Sequence, residues 1–175
     1  MRLAAAPRPD GDLRSGGRRF LQALARHHPG RLTVPQLGAL TNLSHKGGTF
    51  SAYFAELQRR GLIDVAGRDG VGITEAGFDA IGAEPPAEPQ SPTEIVAMWR
   101  ERLPAAAVRI LDALIEVYPD GLDREDLAAR TGLTASGGTF GAAVGMLRRY
   151  VLAESVGRGL RASEVLVGRE NMTRL

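Results

Sequence analysis

The first helix is predicted from apolar residues that recur every three or four positions. The stretch 18–28 carries four of them, Phe20, Leu21, Leu24 and Ala25. The Pro29-Gly30 pair follows directly and ends the pattern. Thr33 and Gln36 then have the Thr-x-x-Gln spacing of a capping box just ahead of Leu37, which predicts the start of a second helix.

A third helix is predicted to begin within the segment Thr41 to Phe50, with Ser44 as its N-cap and residues 45–47 as its first turn. The apolar positions that recur along it are Phe50, Phe54 and Leu57, with Tyr53 beside them. The opposite face is predicted to be exposed, and its residues are Ser51, Ala55, Gln58 and Arg59.

Two short extended runs follow the third helix. Residues 62–66 alternate like a strand, residues 67–70 form a turn with Arg68 at its tip, and residues 71–74 return. A short helix is predicted to begin at Thr74 and to run to Ile81. This order of helices, hairpin and closing helix fills the first half of the chain.

The same pattern returns about ninety residues later. Residues 20–68 and 110–158 share 19 identities in 49 positions, and the segment Thr41 to Phe50 matches Thr131 to Phe140. Asp123 and Asp126 supply the helix start that Thr33 and Gln36 supply in the first half. We interpret the chain as a duplication.

The predicted fold class is mainly α (α+β), with two tandem winged helix-turn-helix domains and a connecting helix. The boundaries are a flexible basic arm at 1–17, a first domain at 18–82, a proline-rich linker and connecting helix at 83–103, and a second domain at 104–175. Trp99 lies in the connecting helix, which is expected to pack on one or both domains, or else to expose a partner site. The tail 163–175 is expected to form a final helix.

Charge is distributed unevenly along the chain. Residues 1–81 carry 11 basic and 7 acidic side chains, residues 82–107 carry 2 and 4, and residues 108–175 carry 9 and 9. The first half is therefore the basic one, at +4, although the whole chain carries only +2. Of the 22 basic residues 21 are Arg, which a G+C-rich coding genome explains without any role in binding.

The candidate chemistry is that of binding rather than catalysis. There are no cysteines and only three histidines, so no metal site and no cofactor are expected. Lys46 precedes the Gly-Gly pair, which is the wrong order for a phosphate-binding loop, and no nucleophile elbow occurs. We therefore expect a protein that is not an enzyme. No apolar run approaches the roughly 20 residues that span a bilayer, so a cytoplasmic location, with nucleoid association considered, is expected.

The candidate DNA-binding residues lie on the third helices and hairpins. Helix N-termini attract anions, and the glycines there let a phosphate approach closely. In the first half the candidates are Ser44, His45, Lys46, Gly47, Thr49, Ser51, Gln58, Arg59 and Arg68. In the second half they are Ser136, Arg148, Arg149 and Arg158. The third helix there also carries Gly137, Gly138, Gly141 and Gly145, which leave a nearly bare surface.

The pattern Tyr-Pro-x-Gly-Leu from Tyr118 and the Ser-Gly-Gly-Thr-Phe that ends at Phe140 resemble the winged-helix repeats appended to bacterial and phage-associated HerA-like ATPases. Leu160-Arg-Ala-Ser-Glu164 resembles the end of those repeats. The resemblance implies DNA engagement beside a motor or regulatory machine.

The sequence is compatible with two functions. The first is a bacterial DNA-binding protein, a transcriptional regulator or accessory DNA-binding factor, whose partners are double-stranded DNA and a homodimer mate or an ATPase motor. The alternative is a protein-interaction scaffold, a subunit of a chromosome-organising or motor complex. This alternative is favoured by the neutral charge of the second half and by the glycines that leave its third helix bare. It is also favoured by Glu56, which lies inside the third helix of the first half and would repel phosphate.

Overall fold

Helices make up about half of the described residues, 13–67 and 70–167, in a computed structural model of the chain. Each of two compact units, Met1–Gln90 and Ser91–Leu175, contains helices and one two-stranded antiparallel sheet. The mainly helical, α+β composition predicted from the sequence is thereby confirmed. Unit 1 is the name used below for Met1–Gln90, and unit 2 for Ser91–Leu175.

Unit 1 follows the predicted order of elements. Its bounds are α1 Ser15–His27, α2 Val34–Thr41, α3 Gly48–Arg59, β1 Ile63–Val65, β2 Val71–Ile73 and α4 Glu75–Ile81. The capping box at α2 is present, since the Gln36 N–H donates to the Thr33 hydroxyl at 3.3 Å and the Thr33 N–H donates to Gln36 Oε1 at 2.7 Å. Thr74 caps α4 through a single hydrogen bond, in which its hydroxyl accepts the Gly77 N–H at 3.1 Å.

Helix α1 begins earlier than the sequence predicted. The flexible arm was expected to reach residue 17, but Ser15, Gly16 and Gly17 are helical, and both glycines are buried. The reason is a close approach, because a Cβ on Gly16 would overlap the ring of Tyr53. Glycine therefore serves here as a packing surface for α3. The rest of the predicted arm, residues 1–12, lies outside the described residues.

The core of unit 1 is aromatic where α1 meets α3. The ring centroids of Phe20 and Phe50 are 4.8 Å apart, and those of Phe20 and Tyr53 are 6.1 Å apart. Phe50 stacks in turn on Phe54, at 5.9 Å. Leu57 is fully buried below these rings. Edge and stacked contacts of this kind add to the burial of apolar area.

Unit 2 repeats the first three helices and the hairpin of unit 1, with one helix added in front. Its bounds are α5 Pro92–Arg100, α6 Ala105–Glu116, α7 Arg124–Thr131, α8 Gly138–Arg149, β3 Ala153–Val156 and β4 Gly159–Ala162. Helix α5 is the connecting helix predicted around Trp99, whose indole is 1% exposed and stacks on Tyr150 at 5.2 Å. Its apolar face is thus used in packing within unit 2. Only Glu164–Leu166 of the expected final helix is helical among the described residues, as a 3-10 turn.

Both hairpins are short, and in each unit a further extended segment pairs with the hairpin. In unit 1, Ile63 pairs with Ile73 and Val65 with Val71, and Leu32 exchanges two hydrogen bonds with Val71 at 3.0 and 2.8 Å. In unit 2, the corresponding exchange joins Leu122 and Leu160 at 2.9 and 2.8 Å. The segment between the first two helices of each unit therefore extends its sheet.

Candidate functional site

The outer face of α3 carries the residues predicted to face solvent. Ser51, Ala55, Gln58 and Arg59 are exposed, as is Thr49 at the start of the helix. Phe50 and Leu57 are buried on the opposite side, and Phe54 and Tyr53 are half-buried. The predicted orientation of the helix is confirmed. The DNA-binding role of these residues stays a prediction.

The start of α3 differs from the prediction. The helix begins at Gly48 with Gly47 as its N-cap, and no side chain caps it. Ser44 is therefore not the cap, and His45 and Lys46 do not form a first helical turn. Instead, the Gly47 N–H donates to the Ser44 carbonyl at 2.8 Å, closing a separate turn in which Ser44 and Lys46 are exposed. This turn packs on α2 at Gly38, where an added Cβ would lie 2.8 Å from the Leu43 carbonyl oxygen.

The segment of unit 1 that spans α1 to α3, with its caps and loops, is strongly basic. Residues 13–60 contain eight Arg or Lys and a single acidic residue, Glu56, so their net charge is +7. Glu56 is half-buried and lies 3.6 Å from the guanidinium of Arg60, which reduces its effect on an approaching anion. Helix α2 carries no charged residue. The exposed part of α3 thus offers hydrogen-bonding groups and positive charge with no exposed carboxylate.

The hairpin of unit 1 is held by Arg31. Its guanidinium is paired with the carboxylate of Asp64 and also donates to the Gly70 carbonyl at 3.3 Å. The guanidinium of Arg31 is therefore used in contacts within the sheet. Arg68, the predicted tip residue, lies outside the described residues, so its proposed contact stays a prediction.

Helix α8 in unit 2 is bare on its outer side. Gly138, Gly141 and Gly145 are exposed, and a Cβ added at any of them would meet nothing within 4 Å. The fold therefore does not need glycine there, although a glycine in a helix interior costs about 0.8–1 kcal/mol relative to alanine. Of the other candidates, Ser136 is exposed in the turn before the helix, while Arg148 and Arg149 are exposed at its end.

The helices of unit 2 lack the positive charge of unit 1. Residues 103–150 contain five basic and six acidic residues, a net charge of −1. Two of the carboxylates, Glu125 and Asp126, are exposed in the first turn of α7, where the helix dipole stabilises them.

A groove of about 170 Å³ lies between α7, α8 and the hairpin of unit 2. The apolar side chains that line it are Leu122, Leu127, Phe140, Val144 and Leu160. The basic ones are Arg124, Arg148 and Arg158. The structure thus brings together Arg148 and Arg158, which the sequence placed in separate elements, and leaves Arg149 out of the groove.

Arg124 is a functional candidate that the sequence did not reveal. Its guanidinium carbon is 5.1 Å from the ring centroid of Phe140, and its Nε donates to the Ala135 carbonyl at 2.7 Å. These contacts hold the cation over the groove. No local pattern marks it, because Ala135 and Phe140 meet it only after α7 and α8 have packed.

An ion pair joins the two strands of the hairpin beside the groove. Arg161 on β4 is paired with Glu154 on β3, with Nε at 3.0 Å from the carboxylate. The hydrogen bond to Glu154 raises the pKa of the Arg161 guanidinium above its ordinary value. Arg158, at the hairpin turn, is exposed and takes no part in this pair.

Neither a metal site nor a membrane-spanning helix is found among residues 13–67 and 70–167. No group of three or more His, Asp or Glu side chains there is placed to hold a metal ion. No helix there is both long and apolar enough to span a membrane.

Comparisons with known proteins give little more. No protein-family model matches the sequence, and no curated protein matches it. A solved structure with some similarity is ScpB from Mycobacterium tuberculosis, at 20% sequence identity. The alignment covers 94% of this chain and 100% of that chain, with a TM-score of 0.31. A score this low does not establish a common arrangement of elements.

Proposed function

We propose that the chain is a non-enzymatic protein built from two tandem winged helix-turn-helix modules, of which unit 1 binds double-stranded DNA. The fold assignment is supported by three helices followed by a hairpin in each unit, and by the extended segments at Leu32 and Leu122 that pair with the hairpins. In such modules the third helix enters the major groove.

The single observation that carries the DNA-binding proposal is the charge of unit 1. Residues 13–60, which span α1 to α3, have a net charge of +7, and the exposed face of α3 presents Ser51, Gln58 and Arg59 without an exposed carboxylate. Side chains of these types donate hydrogen bonds to phosphates and to base edges. Lys46 lies in the turn before α3, where it adds a further exposed cation.

The biological setting that we propose is bacterial. It follows the resemblance to repeats appended to HerA-like ATPases, and it makes the chain a transcriptional regulator or an accessory factor of a DNA motor, acting in the cytoplasm or on the nucleoid. Neither role requires a catalytic group in this chain.

The test is the salt dependence of duplex binding by the full chain. Fluorescence anisotropy with a labelled duplex is measured over a series of salt concentrations for the wild type and for Lys46→Ala combined with Arg59→Ala. Because each phosphate contact releases counterions, the double variant should lower the slope of log K against log salt by about 1–2 and weaken binding to all sequences.

The matched control removes two charges from unit 2 instead, by Arg102→Ala combined with Arg130→Ala, both exposed. The control should bind duplex like the wild type. An equal loss in the control would mean that net charge alone drives binding, and no binding by the wild type at low salt would remove the proposal.

A second function is favoured by unit 2. Its helices are slightly acidic, and the bare face of α8 keeps Gly141 and Gly145 where the fold would accept a larger side chain. These features fit a protein-interaction subunit of a chromosome-organising or motor complex better than a second DNA-binding surface. Close approach of another backbone is the use that exposed helical glycines serve best.

The bare face is tested by Gly141→Gln and Gly145→Gln, which place side chains in open space. Sedimentation of the full chain should show self-association that both variants abolish, while duplex binding stays unchanged. Unchanged sedimentation together with weaker duplex binding would assign this face to DNA.

A further inference from the structure

The groove of unit 2 combines an apolar floor with a basic rim. Leu127, Phe140 and Leu160 are buried at its base, and Val144 is half-buried in its wall. An apolar depression of about 170 Å³ is large enough for one or two inserted side chains. A phosphate backbone has no group that gains from such a floor, whereas an apolar side chain of a partner protein does.

The rim of the groove is positively charged, and two of its arginine side chains, Arg148 and Arg158, are free to bind a ligand. Among the residues that the structure describes, the side chains of Arg148 and Arg158 make no hydrogen bond or ion pair. The one carboxylate in the lining, Asp123, is already used as the N-cap of α7, where it accepts the Asp126 N–H at 2.8 Å. Unpaired guanidinium groups beside an apolar floor recognise carboxylates through charge-assisted, bidentate hydrogen bonds.

Unit 1 lacks the residues that make this groove. Helices α3 and α8 have the same length and begin at equivalent glycines, so Phe54 corresponds to Val144 and Gln58 to Arg148. Val34, the first residue of α2, corresponds to Arg124, the first residue of α7. In unit 1 a phenylalanine therefore stands where unit 2 has a smaller valine, and two of the three rim cations are absent.

We propose that this groove is a docking site for an acidic peptide segment of a partner protein, in which an apolar side chain inserts over Phe140 and flanking carboxylates bind Arg148 and Arg158. The inference deepens the protein-interaction role of unit 2. It does not depend on DNA binding by unit 1, because no residue of α3 takes part.

The experiment is a selection from a random peptide display library against the immobilised full-length chain. Enriched peptides should contain an aromatic or branched apolar residue flanked by Asp or Glu. A labelled enriched peptide is then titrated by fluorescence anisotropy. Val144→Phe fills the groove with the residue found at position 54, and Arg148→Gln supplies the residue found at position 58; each should weaken binding by about tenfold or more.

The matched control is Arg149→Gln, which removes the neighbouring exposed charge outside the groove and should change the affinity by less than about twofold. Unfolding followed by Trp99 fluorescence checks that each variant is folded, and Arg148→Gln alters only an exposed side chain. No enrichment, enrichment of basic or uncharged peptides, or full binding by both groove variants would overturn the proposal.

Duplex DNA is the remaining occupant to test. If Val144→Phe abolishes duplex binding, or if duplex displaces the peptide from a Lys46→Ala, Arg59→Ala chain, the groove is a nucleic-acid site and the peptide proposal fails. Peptide binding that survives in that unit 1 variant, with duplex binding lost, supports the peptide site and shows that the two surfaces act separately.

Discussion

The two units build the same hairpin contact from opposite sides. In unit 1 the guanidinium of Arg31 reaches across Gly72 to Asp64, and its carbon would lie 3.6 Å from a Cβ on that glycine. In unit 2 the arginine is on the strand itself, as Arg161, and pairs with Glu154. The corresponding loop position is Gly121, so the arginine and the glycine have changed places. The contact is retained although the residues that make it are not.

The surfaces of the two units have diverged more than their cores. Over equal lengths, residues 13–60 carry +7 and residues 103–150 carry −1. In the core, a larger residue at one position is matched by a smaller one at its neighbour. Gly16 and Tyr53 in unit 1 correspond to Ala106 and Ala143 in unit 2. A shared fold therefore constrains packing and leaves the choice of partner to exposed residues.

The largest expected effect comes from truncating the same core position in each unit. Leu57 and Leu147 are both fully buried, so Leu57→Ala and Leu147→Ala should each lower the free energy of unfolding by about 2–5 kcal/mol. Trp99 is the only tryptophan and lies in unit 2. The denaturation midpoint followed by its fluorescence should fall for Leu147→Ala and stay constant for Leu57→Ala, while circular dichroism detects both. A common shift in fluorescence would show that the units unfold together.

The next largest effect is expected from the contact between Gly16 and Tyr53. Gly16→Ala forces a methyl group into the Tyr53 ring, and overpacking of this kind costs about 1–3 kcal/mol. In a Tyr53→Ala background, which imitates unit 2, the same change should cost nothing or stabilise α1. A double-mutant cycle of chemical unfolding measures the coupling, and additive effects would contradict the proposed exchange.

The bare face of α8 predicts a gain in stability. Gly141→Ala and Gly145→Ala should each stabilise the protein by about 0.8–1 kcal/mol, because no neighbour occupies the space of the added methyl group. Thermal unfolding measures the gain. The control is Gly159→Ala, where a Cβ would lie 2.6 Å from the Leu122 carbonyl oxygen and should destabilise the hairpin. A loss at position 141 or 145 would mean that the fold itself requires glycine there.

The smallest effect is a dependence on pH that one capping box has and the other lacks. Backbone and side-chain hydrogen bonds from Ser91 lower the pKa of Glu94 at the start of α5, whereas the box at α2 uses the neutral Gln36. Because the folded-state pKa is depressed, the contribution of Glu94 is present above its ordinary pKa and is lost as the pH falls through the lowered value. The Trp99 unfolding midpoint should therefore decline slightly on acidification, and less so in Glu94→Gln. An identical decline in both would exclude this carboxyl as the cause.

Local patterns predicted the elements of this protein well. The capping box at Thr33, the N-cap at Asp123 and the apolar positions of α3 depend on residues within a few positions of one another. The predicted α3 start at Ser44 was wrong because the intervening turn is closed by a backbone hydrogen bond to Ser44 and packed on Gly38, and no side-chain spacing reports either.

By itself, the sequence determined the order of helices and strands, which of their faces are buried, and the basic character of the first half, because period, caps and charge are local properties of the chain. Only the tertiary structure decided that Arg124, Arg148 and Arg158 surround one apolar groove. It also decided that Arg31 is paired with Asp64 of the sheet and that the glycines of α8 face open space. These relations join residues far apart in the chain, and they exist only once packing has fixed where each side chain points.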